Sequence, residues 1–235
     1  MVHSSAFKVQ SESSYGSRLT SHGLLTIALP KGRVMKQALK IFAKIGIEPP
    51  ENMEESRKLI FEDKKKWLRF LVVKPTDVPT YVEYGAADIG IAGKDVLSET
   101  ERDVYEPLDL KIGRCRMIVA EPAALSAKDD PTQWTSIRIA TKYPNITERY
   151  FASKGIQVEL IKLYGSIELA PLIGLSERIV DLVETGETLR QNGLVEVEKI
   201  MDISSRLIVN RASLKIKGAR IAEIIEGLRK EVESS

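Results

Sequence analysis

From Leu24 onward the apolar residues alternate between short continuous runs and stretches of helical spacing. Leu25-Thr26-Ile27-Ala28-Leu29 has the length and content of a buried strand, closed by Pro30-Lys31-Gly32-Arg33. Val34, Ala38, Ile41, Phe42 and Ile45 then recur with helical period and stop at Gly46, a residue that favours a helix C-terminus. Runs at 58–61 and 67–73 predict two strands across the charged turn 62–66. Thr76-Asp77 is placed to cap a short helix through Tyr84. The run 88–92 predicts a buried strand, and Gly93-Lys94-Asp95 leads into another helix.

Residues 108–112 and 115–120 are extended apolar runs that carry the chain out of this first series. A second series follows: strand 137–141, helix 145–153 stopped by Gly155, strand 158–163, short helix 167–172 and strand 179–183. The extended run 201–209 leads back. A last helix carries Ile221, Ile224, Ile225, Leu228 and Val232 on one face. Strands alternating with helices predict an α/β protein with mainly parallel sheets. Two series joined by two extended crossings predict two lobes with a cleft between them. The expected boundaries are 24–113 plus 204–235 for lobe I and 114–203 for lobe II.

Composition narrows the function classes. Hydrophobic residues make up 43% and charged residues 29% of 235, enough for a real core. Lys plus Arg number 35 against 33 Asp plus Glu, and this +2 balance gives no footprint for nucleic acid or a membrane surface. No stretch approaches the ~20 apolar residues of a membrane span. The first 23 residues contain seven serines and no apolar signal core, so 1–23 is expected to be a disordered tail. A single cysteine, Cys115, fits a cytoplasmic chain without disulfides. Both histidines, His3 and His22, fall in the tail. The body thus lacks the usual general base and zinc ligand.

The sharpest chemical feature is Asp181-Leu182-Val183-Glu184-Thr185-Gly186-Glu187-Thr188-Leu189. A strand delivers Asp181 toward its carboxyl end, and a tight turn at Gly186 opens a helix. Such turns expose backbone N–H groups to an anion, and the hydroxyls of Thr185 and Thr188 add donors for phosphate oxygens. Asp181 and Glu184 would repel a phosphate, and suit instead ribose hydroxyls or a magnesium-bound diphosphate. The alternative for this string alone is a plain connection whose threonines cap the helix.

The longer stretch Glu168-x5-Gly174-x-Ser176-x2-Ile179-x-Asp181-Leu182-x2-Thr185-Gly186-x-Thr188-Leu189 resembles the signature of the ATP phosphoribosyltransferases. Leu29-Pro30-Lys31-Gly32-Arg33, Ser56-Arg57-Lys58-Leu59, Gly85-x2-Asp88-x-Gly90-Ile91-x-Gly93 and Gly113-Arg114-Cys115-Arg116 are similar to further segments of that family, in the same order. The likeness is to its short form, and after Val209 the sequence leaves room for one amphipathic helix. The resemblance implies a two-lobed fold like the type II periplasmic binding proteins, with phosphoribosyl pyrophosphate and ATP in the cleft. It implies that Glu184, Thr185, Gly186, Glu187 and Thr188 wrap the 5′-phosphate. Asp181 and Glu184 become candidates for the ribose hydroxyls. Arg33 and Arg57 become catalytic candidates that grip the diphosphate through paired hydrogen bonds, helped by Lys31 and Gly32. For Arg57 the alternative is a solvated cation in a charged stretch. Asp88, Gly90 and Gly93 are expected to line the cleft of lobe I, with a ligand-free strand–helix connection as the alternative. Cys115 reads as a small apolar residue, and Asn145 as a ligand contact or a helix cap.

The implied reaction is attack by adenine N1 of ATP on ribose C1 with loss of pyrophosphate, the first step of histidine biosynthesis. N1 already carries a lone pair, in keeping with a body without histidine. Magnesium is expected with both substrates. The short form further implies a homodimer alone, and a hetero-oligomer with a regulatory subunit resembling histidyl-tRNA synthetase. A non-catalytic solute-binding protein and an inactive scaffold are the rival readings. The loop at Glu184 to Thr188 weighs against both, and the missing signal sequence against the first.

Overall fold

The computed structural model describes residues 23–50, 52–63, 67–126 and 136–234. The tail expected at 1–23, with His3 and His22, lies outside the described residues except for Gly23. The first series runs β1 (Leu25–Pro30), α1 (Arg33–Lys44), β2 (Ile60–Glu62), β3 (Leu68–Val73), a 3-10 turn (Pro75–Asp77), α2 (Val78–Glu83), β4 (Ile89–Gly93), α3 (Lys94–Thr100) and β5 (Tyr105–Asp109). The second comprises β6 (Cys115–Pro122), α4 (Ala123–Ser126), β7 (Ser136–Thr141), α5 (Pro144–Ser153), β8 (Gln157–Lys162), α6 (Leu169–Leu172), β9 (Arg178–Val183), α7 (Glu187–Gln191) and β10 (Leu194–Ile203). β11 (Ser205–Val209), α8 (Arg211–Ile216) and α9 (Gly218–Glu233) then return to the first sheet.

Two sheets result, a six-stranded one in the order β2-β3-β1-β4-β11-β5 and a five-stranded one in the order β10-β6-β9-β7-β8. Both are mixed, where mainly parallel sheets were expected. β1 lies parallel to β3 and β4, and β7 parallel to β8 and β9, as helical crossovers require. β2 folds back on β3, β11 runs antiparallel to β4 and β5, and β6 runs antiparallel to β9 and β10. The strands flanking the two crossings reverse direction as they pass between sheets, which local periodicity does not encode.

Period-two alternation gives each sheet two apolar faces. On the first sheet Leu25, Ile27, Leu29 and Phe70 face Met35 and Phe42 of α1 and Ile221 and Leu228 of α9. Its other face sets Ala28, Ala92 and Ile208 against Val78 and Val82 of α2. On the second sheet Met117, Val119, Ile139 and Val180 cover Ile146 and Phe151 of α5. Ile118, Ala120, Ala140 and Ile179 meet Ala170 and Leu189. Each large side chain so removed from water contributes about 1.5–3 kcal/mol.

Three elements differ from expectation, the first being the four-residue α4, which the sequence reading left out. β10 begins at Leu194 instead of near 201, because shifts in its pairing at Glu196/Glu198 and Lys199/Met201 break the alternation that would have marked it. α8 was not anticipated; it is a six-residue helix capped by Asn210, whose Oδ1 accepts from Ser213 N at 2.8 Å.

Candidate active site

Because β1 and β4 are parallel, their carboxyl ends open on the same edge of the first sheet, and those of β7 and β9 open on one edge of the second. In α/β sheets ligands collect at such edges. The two edges face each other. Arg33, the first residue of α1 after β1, forms an ion pair with Glu184, which follows β9. Tyr143, after β7, donates its hydroxyl to Oδ2 of Asp95, after β4, at 3.0 Å.

The turn after β9 has the shape its sequence predicts. Gly186 takes the left-handed conformation (φ 80) at the start of α7, with a backbone that a larger residue enters only with strain. Thr185 and Thr188 are exposed beside it. Arg116 braces the turn: Nη1 donates to the Glu184 carbonyl at 3.2 Å, while Nε and Nη2 hold Oε2 of Glu196 at 2.9 and 2.6 Å. Glu187, expected to face the ligand, turns onto its own helix. It accepts from Arg190 at 2.7 and 3.1 Å and from Gln191 at 2.7 Å, and Arg190 lowers its pKa.

Asp181 stands behind this turn, two-thirds of the way along β9. Burial pushes its carboxyl up to about 6 and Glu168 pushes the same way, while the Leu182 N–H (2.8 Å) and Lys142 hold it down. Of the two carboxylates here, Asp181 is held toward its neutral form by burial and Glu184 is matched to a cation.

Across the cleft, Lys31, Gly32 and Arg33 are exposed, and Gly32 adopts φ 110. The Lys31 N–H donates to the Val73 carbonyl at 2.8 Å, which fixes where the loop leaves the sheet. Arg57 is exposed and, with Met35 and Met53, shares a surface depression with Lys31 and Gly32. The fold therefore joins Lys31, Gly32, Arg33 and Arg57 on one side and sets Asp181, Glu184, Thr185, Gly186 and Thr188 opposite.

Two expected ligand residues are placed elsewhere. Asp88 sits at the amino end of β4, away from this edge, and is buried. It accepts from Thr26 N at 2.8 Å, Ser213 Oγ at 2.6 Å and Lys217 Nζ at 2.7 and 2.9 Å, a pairing that ties β1 to the C-terminal helices. Gly90 is a packing glycine: a Cβ there would lie 2.6 Å from Val82 Cγ2 and 2.8 Å from Val78 Cγ1. Gly93 does reach the cleft edge, where a Cβ would lie 2.1 Å from Asp95 Oδ1.

Sequence reasoning gave no role to Asp95, Lys142, Glu168 or Arg116, although Glu168 opens the signature stretch and Arg116 closes one of the family-like segments. For Asp95 and Lys142 the signal was position alone, since they lie just past the ends of β4 and β7. Cys115 is half-buried, and burial first, then Asp95 and Glu184, raise its thiol to about 11, a neutral group and no nucleophile.

Among the described residues no helix is long and apolar enough to cross a membrane. The family profile described as ATP phosphoribosyltransferase matches residues 74–230. An ATP phosphoribosyltransferase of Geobacter metallireducens is 68% identical over 208 residues, which cover 88% of this chain and 98% of that protein. Among solved structures, the ATP phosphoribosyl transferase (HisG:HisZ) complex from Thermotoga maritima superposes with a TM-score of 0.76 at 36% identity, covering 90% of this chain and 100% of that one. The substrate binding protein of an amino acid ABC transporter superposes with a TM-score of 0.55 at 14% identity, covering 90% and 94%. The last likeness concerns the fold alone: two lobes of the periplasmic-binding-protein kind.

Proposed function

This chain belongs to the ATP phosphoribosyltransferase family, and on that premise we propose that transfer takes place between the edge carrying Arg33 and the edge carrying Glu184. The activity is the first step of histidine biosynthesis. Adenine N1 of ATP forms a bond to ribose C1 of phosphoribosyl pyrophosphate, and the C1–oxygen bond breaks to release pyrophosphate. We assign the elements around the six-stranded sheet (24–113 plus 204–235) to one lobe and 114–203 to the other.

The Arg33–Glu184 pair carries this reading. It brings a cation suited to diphosphate against a carboxylate suited to ribose hydroxyls, so a substrate bearing both groups fits between them and takes the place of each partner. Thr185, Thr188 and the Gly186 backbone are then placed for the 5′-phosphate, and Asp181 for the ribose. Arg33, Arg57 and Lys31 stabilise the charge that grows on the departing diphosphate. The attacking nitrogen already has its lone pair, so these residues need only align the substrates and stabilise the leaving group.

Magnesium fits as a companion of the diphosphate. Among the described residues no group of three His, Cys, Asp or Glu could hold a metal ion, whereas a diphosphate brings its own oxygen ligands. When bound, the ion supplies further charge neutralisation to the leaving group.

The Thermotoga maritima structure is a HisG:HisZ complex, and by that likeness this chain joins a second subunit. The resemblance to the family's short form extends this to a homodimer alone and a regulatory partner resembling histidyl-tRNA synthetase. Any histidine effect relayed by that subunit must be reciprocal in binding free energy. The direct test is to incubate the chain with ATP, magnesium and phosphoribosyl pyrophosphate, with and without the partner. Mass spectrometry should detect phosphoribosyl-ATP and pyrophosphate in equal amounts. A folded chain yielding neither in either arm would refute the reading.

A further inference from the structure

The first turn of α5 has unpaired N–H groups, as every helix start does, and no side chain of its own cap serves them. Pro144 opens the helix, and Asn145, read from the sequence as a ligand contact or a helix cap, turns its side chain to the Glu99 carbonyl. The cap comes from the other lobe. Glu99, near the end of α3, accepts from Asn145 N through Oε1 at 3.1 Å and from Ile146 N through Oε2 at 3.0 Å. In return Asn145 Nδ2 donates to the Glu99 carbonyl at 2.9 Å, one of the carbonyls that the end of α3 leaves free. The exchange is reciprocal: a helix end in each lobe satisfies the other. It is flanked by the buried Asp95–Tyr143 hydrogen bond and by the Arg149–Glu101 ion pair, so three contacts join α3 and the residue after it to α5 and the residue before it.

What this seam holds is the connection between β7 and α5. Thr141 Oγ1 donates to the Val180 carbonyl at 2.8 Å and accepts from Tyr143 N at 2.9 Å, which ties that connection to β9. Lys142 stands between the tie and the seam, exposed and close enough to Asp181 to stabilise its charged form. The register of α3 against α5 therefore sets where Lys142 and Asp181 stand relative to Arg33 across the cleft.

We propose that Glu99 is a positioning residue for phosphoribosyl transfer, clamping the β7–α5 connection of one lobe to α3 of the other so that the two halves of the site meet in register. This role rests on the functional reading above. Glu99 touches no reacting atom; it acts through the alignment of groups that do. Misplacing such groups by an ångström costs on the order of a hundredfold in rate.

The test compares wild type, Glu99→Ala and Glu99→Gln in the same assembly state, at a temperature well below unfolding. Glu99→Ala should lower kcat by roughly ten- to a hundredfold with both KM values within about threefold, because alignment is lost while the binding groups remain. Glu99→Gln keeps one carbonyl acceptor and should recover most of that loss. Hydrogen exchange followed by mass spectrometry should show faster exchange of the Asn145 and Ile146 amides in Glu99→Ala, a readout independent of activity. A lowered Tm with unchanged kcat would reduce Glu99 to a stabilising contact and overturn the proposal. Unchanged exchange at both amides would overturn the clamp itself. Failure of the functional reading looks different, since the wild type would then make no phosphoribosyl-ATP whatever the exchange rates.

Discussion

Replacing Asp181 by Asn should make the chain more stable and a poorer enzyme, and the gain should depend on pH. Burial, reinforced by Glu168, raises the Asp181 carboxyl from its ordinary 3.8 to about 6. An acid whose folded pKa is raised is most comfortable protonated. Between those two values the folded chain retains a proton that the unfolded chain has released. Stability therefore falls as pH rises through this window, and the whole penalty stands above pH 6. At 1.36 kcal/mol per pH unit, a span of about two units corresponds to roughly 2–3 kcal/mol. Asparagine is isosteric, keeps an oxygen for the Leu182 N–H, and carries no charge to bury. Thermal unfolding of Asp181→Asn should exceed wild type by roughly 4–12 °C at pH 7.5, with the gap falling to roughly a third of that by pH 4.5 and closing below the ordinary value of 3.8. Calorimetry with phosphoribosyl pyrophosphate should move the other way and show weaker binding. A variant that is less stable at pH 7.5, or whose advantage is the same at both pH values, would refute the argument that the carboxylate is held there against its solvation.

Thr188→Ala and Gly186→Val should each weaken binding of phosphoribosyl pyrophosphate by roughly ten- to a hundredfold, the first by removing a donor to a charged group and the second by straining a φ of 80. Unchanged affinity by calorimetry in the folded variants would remove this turn from the site. Arg33→Ala and Arg57→Ala should lower kcat more than they raise KM, as expected of groups that act on charge appearing in the transition state; a pure KM effect at both would confine them to binding. Gly90→Ala should cost about 1–3 kcal/mol in urea unfolding, because its methyl would lie 2.6 Å from Val82, and it should leave kcat of the folded fraction intact.

Much of the fold was legible because its signals are local. The strand and helix rhythms of 24–120 and 137–183 correspond to elements displaced by only a few residues, and the apolar face of α9 is the one the spacing marks. Strand direction was not legible. Whether β6 and β11 run with or against their neighbours depends on how the chain passes between sheets, a property of the path and not of any window of residues. β10 escaped for a related reason: its bulges shift the inward-facing set midway, so a strand of ten residues never shows ten residues of alternation.

The candidate site divides along the same line. The turn from Glu184 to Thr188 could be read because its geometry needs Gly186 and its donors lie within four residues of one another. Asp88 was misread for a converse reason. A carboxylate beside a buried strand next to two glycines offers the same sequence signal whether it meets a substrate or a lysine more than a hundred residues away, and here it meets Lys217. Position along the strand decides between them: Asp88 precedes β4, whereas Asp95 follows it, and only the carboxyl end opens on the cleft. By the same rule Lys142, one residue past β7, was as strong a candidate as any residue in the signature. Directional reading of strand ends finds residues that motif matching omits, because the cleft is built by every strand that ends there, including those whose loops carry no recognisable pattern.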